Sequence, residues 1–268
     1  MTNGIGGSTP AAELAAIRPW ANPAPAITAD ERGARIEKAR RLTANAGADA
    51  LLVGAGASLR YFAGVPWGAS ERLVAMLLPR TGRPIVVAPA FELGTLQADL
   101  AIEADIRLWE EDESPAALVA AALRELGVET LAIDPAMAFL FVDRIARAAP
   151  TATLVAGSAI IDGCRMIKSP AELALMQQAK AMTLDDHRRA ARALAPGITA
   201  SEVRYFIDQA HRASGAPDGN GFCIVQFGRS TAFPHGLPGE CVLAEGDIVL
   251  IDTGCVIGGY HSDITRTY

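Results

Sequence analysis

Residues 250–268 read LIDTGCVIGGYHSDITRTY, two apolar stretches that each carry one aspartate, Asp252 and Asp263, with glycines between them. Strand-like runs on both sides of a glycine-rich link are the pattern of a β-hairpin. With Ile257-Gly258 as a two-residue turn, Asp252 stands directly opposite Asp263 on one face of the sheet, their Cβ atoms about 5 Å apart. Like charges so placed repel, and the neighbours Ile248, Leu250 and Ile264 imply partial burial, which adds a desolvation cost. An Arg or Lys partner, a shared proton or a bound cation can each relieve that cost. Arg266 is three residues from Asp263, hence on the other face of a regular strand, which weakens the ion pair. A divalent cation suits carboxylates on adjacent strands best, because each oxygen can take a metal and one group can bridge two. The spacing also permits a bulge at one aspartate, since a slip of one residue separates the pair.

The rest of the chain supplies a frame. With 268 residues, two domains of ordinary size are expected. The first 28 residues, rich in Ala, Pro and Gly, suggest a flexible N-terminal arm. A helix is expected from Asp30 as its cap to a stop at Gly47, followed by strand-like runs at 50–53, 73–78 and 85–88. A helix capped by Ser114, with Pro115 in its first turn and Gly127 past its end, leads to a strand at 130–134. This alternation makes residues 29–158 an α/β domain. A composition change near GCRMIKSPAELALMQQAKAM opens a second domain, 159–268. Ser169, Pro170 and Glu172 spell a capping box for a long helix to about Leu194, and Thr199 with Glu202 repeats it for a helix to about Ala213. Strand candidates follow at 222–228, 247–254 and 259–267.

Half the residues are hydrophobic, a fifth are charged, and the net charge is -6, with no basic stripe, so nucleic acid is not an expected partner. No run of 18 apolar residues suggests a membrane span, and the N-terminus lacks a basic start followed by an apolar core. The expected location is cytoplasmic. Cys164, Cys223, Cys241 and Cys255 form no CxxC pair and are expected as reduced thiols.

His235, in STAFPHGLPGE, lies between a strand and a Pro/Gly-rich loop, where functional side chains are often presented. His261 shares strand parity with Asp263 and is read as structural. His187 and His211 fall within helices and receive no role.

GDIVLIDTGCVIGGYHSDITRTY resembles the first metal-binding signature of the metallopeptidase family that contains Xaa-Pro aminopeptidases, Xaa-Pro dipeptidases (prolidases) and methionine aminopeptidases, with creatinase as a non-peptidase member. FPHGLPGE, whose His235 is 17 residues before Asp252, resembles that family's His-Gly motif. RMIKSPAELALMQQA resembles its connector helix, and PGITASEV the start of its second helix. LRYFAGV followed by ERLVAMLLP resembles the accessory domain of the creatinase and Xaa-Pro peptidase branch, which methionine aminopeptidases lack.

The resemblance implies a creatinase-like N-terminal α/β domain followed by the first half of a pita-bread (α+β) catalytic domain. It implies that Asp252 binds one metal ion, that Asp263 bridges two, and that His235 hydrogen-bonds substrate near the scissile bond. The implied cofactor is two divalent ions, with Mn²⁺ favoured by the oxygen-rich donors and Zn²⁺ and Co²⁺ left open. The implied partners are a proline-containing di- or oligopeptide and a second copy of the chain in a homodimer. The family's remaining ligands, a histidine and two glutamates, have no counterpart in these residues. An incomplete view of a longer enzyme is therefore expected, and this polypeptide alone is expected to bind metal weakly and to be inactive. Creatinase-like or other non-peptidase chemistry on the same scaffold, or a non-enzymatic binding protein, are the alternatives.

Overall fold

The first helix, α1 (Pro10–Ala16), packs with the C-terminal elements, so one unit of the chain is built from two separate stretches of sequence. In this computed structural model, which describes residues 5–268, one unit is Ile27–Lys168 and the other joins residues up to Ala26 with Ser169–Tyr268.

Strands of the unit Ile27–Lys168 bury side chains on both faces, which calls for helices on both sides. Its six strands are β1 (Ala50–Gly54), β2 (Ala75–Pro79), β3 (Ile85–Pro89), β4 (Asp105–Trp109), β5 (Thr130–Ile133) and β6 (Thr153–Ala156). They lie in the order β4-β3-β2-β1-β5-β6, with β1, β2 and β3 antiparallel to their neighbours in turn and the outer pairs parallel. Leu51, Val53, Met76 and Val86 pack on one side with residues of α2 (Ala29–Asn45), α3 (Ala57–Ala63), α4 (Leu93–Asp99) and α7 (Ser158–Arg165). Leu52, Leu77 and Val87 pack on the other with α5 (Pro115–Glu125) and α6 (Phe139–Ala148). The cap of α2 is Thr28, whose hydroxyl accepts from Glu31 N at 3.2 Å, two residues earlier than the expected Asp30.

The domain boundary differs from the one expected at 158/159. α7 (Ser158–Arg165) buries Ile160, Ile161 and Cys164 in the same core as Ile36 and Ala39 of α2, which places the division after Lys168. Apolar residues seeking a face look alike on either side of a boundary, so composition alone misplaced it.

In the other unit, both capping boxes form. Ser169 and Glu172 open α8 (Pro170–Ala193), and Thr199 and Glu202 open α9 (Ala200–Ser214). The strands β7 (Asn220–Phe227), β8 (Val249–Ile257) and β10 (Ile264–Thr267) form an antiparallel sheet in the order β10-β8-β7, and the short β9 (Tyr260–His261) also pairs with β8. Val225, Phe227, Val249 and Ile251 point into a core with Ala190, Leu194, Phe206 and Ile207 of the two helices. The alternate residues face away from the helices.

The expected N-terminal arm is not a loose tail over its described part. Thr9 caps α1, Glu13 places a carboxylate oxygen 3.5 Å from Arg189 and 3.9 Å from Arg192, and Ile17 joins the core of α8 and α9. Trp20 N donates to Ser214 O at 2.9 Å and Ala24 N to Gln178 Oε1 at 2.6 Å, which ties the segment along the helices. Its Ala and Pro content hides a few anchoring residues whose value depends on a distant partner surface. The same expectation for residues 1–4 lies outside the described residues. No helix among the described residues is long and apolar enough to cross a membrane.

Candidate metal centre

The hairpin that carries both aspartates turns at Gly258-Gly259, with φ of +57° and +90°, and not at Ile257-Gly258. Two consecutive positive φ angles make the type I′ geometry whose twist matches the strands, and glycine at both positions adopts it without strain. The turn one residue later moves the register by two. Ile257 pairs with Tyr260, Val256 with His261, Thr253 with Ile264, and Asp252 with Thr265. The expected direct opposition of Asp252 and Asp263 is thus corrected to a diagonal one.

A two-residue shift preserves facing, because side chains alternate with period two. Thr253 and Ile251 are fully buried against the helices while Asp252 is half-buried on the other face. Ser262 is buried toward α8, and Asp263 beside it is exposed. Asp263 is two residues before Thr265, so the carboxylates share one uncovered face as diagonal neighbours, roughly 7–8 Å apart at Cα. Separation on that scale lowers the repulsion between the two carboxylates relative to direct pairing. Arg266, of opposite parity, donates to the carbonyl of Thr265 at 2.7 Å and makes no ion pair with either aspartate among the described residues.

Asp252 is oriented before any ligand arrives. Thr265 Oγ1 donates to its Oδ1 at 2.7 Å, which restrains the carboxylate on the face it shares with Thr265. Among the described residues no group of three or more His, Cys, Asp or Glu side chains is arranged to hold a metal ion. Two oxygen donors fit part of a divalent site and not all of one.

His235 is exposed, on the loop between β7 and β8. That loop is held over the sheet by Gln226, whose Nε2 donates to Phe233 O at 2.7 Å. Gln226 pairs with Leu250 and so belongs to the row next to Asp252 on the same face. His235, Gly236 and Leu237 line a cavity of about 300 Å³ along β7 with Ile224 and Arg204. Ile224 is the ladder partner of Asp252, so the cavity wall lies on the strand next to the one that carries the carboxylate. His261 is exposed at the turn, opposite Val256.

Sequence reasoning gave no role to two histidines that the fold buries under this hairpin. His187 Nε2 donates to Ile264 O at 3.0 Å, and its Nδ1 lies 3.1 Å from Tyr268 Oη. His211 is fully buried, with Nδ1 2.6 Å from Asn220 Oδ1 and Nε2 3.0 Å from Thr183 Oγ1. Burial lowers the pKa of both imidazoles, which favours their neutral forms. Asp186, buried beside them, is pushed up to about 8 by desolvation. The helical burial pattern of α8 was the available signal, since Thr183, Asp186 and His187 fall with Ala179, Met182 and Ala190 on its inward side. The cysteines are all free, and burial pushes the Cys223 thiol up to about 11.

A three-layer α/β unit, joined to a capped helix pair under an open antiparallel sheet with two carboxylates on its free face, defines the creatinase-like metallopeptidase class. Residues 174–268 match the model of metallopeptidase family M24 and residues 35–167 that of the creatinase/prolidase N-terminal domain, and the chain belongs to this family. A probable dipeptidase PepE of Mycobacterium tuberculosis is 35% identical over 237 residues, covering 87% of this chain and 62% of the relative. The crystal structure of dipeptidase PepE from Mycobacterium ulcerans superposes with a TM-score of 0.79 at 32% identity, covering 91% of this chain and 66% of that one. A prolidase from Thermococcus sibiricus gives a TM-score of 0.78 at 27% identity, over 88% of this chain and 65% of that one. The chain thus spans under two thirds of the length of these relatives.

Proposed function

We propose that Asp252, Asp263 and His235 form one part of the catalytic centre of a dinuclear metal-dependent peptidase that hydrolyses Xaa-Pro bonds, as a dipeptidase or an aminopeptidase. The observation that carries this reading is the placement of Asp252 and Asp263 on one uncovered sheet face, with Asp252 oriented by Thr265. Similarity to proteins named dipeptidase and prolidase supports the substrate class.

In this reading Asp252 and Asp263 would hold the divalent ions, Asp252 one of them and Asp263 both, with Mn²⁺ favoured because carboxylate oxygens suit hard cations. Bound divalent ions supply Lewis-acid polarisation of a peptide carbonyl and a nucleophile at neutral pH. The protein's own residues do the positioning. Thr265 aims the Asp252 carboxylate, and Gln226 holds the 233–236 loop so that His235 faces substrate at the cavity rim. His235 hydrogen-bonds the substrate near its scissile bond and steadies charge as it develops there. Two carboxylates do not complete such a centre, and the reading calls for further ligands of the kind a polypeptide as long as the relatives has room to supply.

The test is release of free glycine by the full-length polypeptide from Gly-Pro and from a longer peptide beginning Gly-Pro, with and without added Mn²⁺. Metal-stimulated release from the dipeptide alone marks a dipeptidase, and release from the longer peptide an aminopeptidase. No release from either substrate with Mn²⁺ present overturns the reading.

A further inference from the structure

Asp263 is not itself hydrogen-bonded to the protein in any described contact, yet both of its chain neighbours are anchored from below by one helix. Ser262 Oγ lies 2.8 Å from Thr183 Oγ1, and Ile264 O accepts from His187 Nε2 at 3.0 Å. Thr183 and His187 are four residues apart on α8, so they stand on one face of the helix, a turn apart. That spacing straddles Asp263.

The anchorage on the Ser262 side replaces a normal ladder bond. Ser262 N donates to Cys255 O at 3.0 Å, as in an antiparallel pair, but Cys255 N donates at 2.9 Å to the Ser262 side chain and not to its carbonyl. The carbonyl thereby freed lies against the Cα of Gly254, where any Cβ would overlap it. The strand breaks at residues 262–263 and resumes at Ile264, which aims the Asp263 side chain onto the open face.

The hydroxyl that makes this exchange is held by a chain of hydrogen bonds running in one direction. The amide oxygen of Asn220 can only accept, so His211 Nδ1 carries the proton and Nε2, in the neutral ring, accepts from Thr183. Thr183 Oγ1 then accepts from Ser262 Oγ, which accepts from Cys255 N. Each member between Asn220 and Cys255 is both donor and acceptor, and the groups from Thr183 to Cys255 are buried, so the chain is stiff. Asp186 Oδ2 lies 3.3 Å from His211 Nε2 without a hydrogen-bond partner among the described residues, an acid that can support the ring only as a neighbour.

We infer that Thr183, backed by His211, and His187 are positioning residues for the Asp263 carboxylate, acting through Ser262 and Ile264 to hold it where it ligates metal. This rests on the metal-binding reading proposed above. Outer partners that orient a ligand typically change metal affinity 10–100-fold when removed.

Mn²⁺ binding to the full-length polypeptide, measured by calorimetry, tests this on three variants together with thermal unfolding. Thr183→Val removes the hydroxyl at nearly constant volume and is expected to weaken Mn²⁺ binding about 10-fold or more. Thr183→Ser restores the hydroxyl and is expected to restore affinity to within about 3-fold of the wild type. Ser169→Ala, which removes the cap of the same helix 14 residues away, is expected to lower Tm while leaving Mn²⁺ affinity unchanged. Unchanged Mn²⁺ affinity in Thr183→Val, or equal weakening in Ser169→Ala at equal loss of Tm, overturns the positioning role and leaves the peptidase reading intact. Absence of Mn²⁺ binding by the wild type overturns the metal-binding reading and this inference with it.

Discussion

The carbonyl oxygen of Ser262 occupies the space in which a side chain on Gly254 would begin, so the two residues meet backbone to backbone at the break in the hairpin. Gly254 has no positive φ to explain it. Its requirement is steric. Gly254→Ala must push the β9–β10 segment away from β8 or abandon the Ser262–Cys255 exchange. The expected cost is about 3 kcal/mol or more, at the upper end for overpacked sites. Urea unfolding of the variant beside Gly258→Ala, whose cost comes from a positive φ and contact with Leu175, distinguishes the two origins. A loss below about 1 kcal/mol for Gly254→Ala contradicts the close approach.

Thr265 donates to Asp252 across the ladder at 2.7 Å, and its loss should be felt in ligand binding more than in folding. Thr265 is exposed, so Thr265→Val removes a surface hydrogen bond and little packing. The expected change in stability is within about 0.5 kcal/mol, whereas Mn²⁺ affinity is expected to fall roughly 10-fold. Calorimetric titration alongside thermal unfolding checks both. A large drop in Tm with unchanged affinity assigns Thr265 to the fold alone.

Much of this architecture was legible because its signals are local. Ser169-Pro170-Glu172 and Thr199-Glu202 announce helix starts through capping chemistry that needs no tertiary partner, and both form as expected. The strands missed in the sequence, β4 and β6, are the two outer strands of their sheet. Most of their residues are only partly buried, which blurs the apolar pattern. The hairpin register was misread by two because IGG offers two turn placements, and only the pairing of Ile257 with Tyr260 selects Gly258-Gly259. That error kept the aspartates on one face because it was even. The histidines under the sheet were invisible for a different reason. A buried polar residue reads as a defect in a helix until its partners, here 9 to 81 positions away, are known.

Ile17 tests the docking of the N-terminal segment. It is 7% exposed and shares a core with Ala190, Leu194 and Phe206. Ile17→Ala removes three carbons from that core and is expected to destabilise the protein by roughly 2–3 kcal/mol, near the low end for large-to-small core substitutions. Thr9→Ala, which removes only the cap of α1, is expected to cost about 1 kcal/mol or less. Denaturant midpoints for the two variants check the order. Equal and negligible effects would return residues 5–26 to the status of a loose arm.

Asp186 gives a pH dependence with a definite sign. Its carboxyl is pushed up to about 8 from an ordinary value of 3.8, chiefly by burial, further by the nearby Asp185 charge, and against the pull of Arg189. Between those two values the folded protein holds a proton that the unfolded chain has released, so folding is coupled to proton uptake. Stability attributable to this group therefore falls as pH rises from about 4 toward about 8 and levels off above. His187 and His211, with values lowered by burial, act in the opposite sense, losing their contribution as pH falls below the ordinary imidazole value of 6.5. Comparing the wild type with Asp186→Asn cancels the histidine contributions common to both. The asparagine is neutral at every pH and close in size, so the Tm of the variant minus that of the wild type is expected to rise steadily from pH 5 to pH 8. A difference that stays constant over that range means Asp186 keeps its charge in the folded protein, paired with a protonated His211 3.3 Å away.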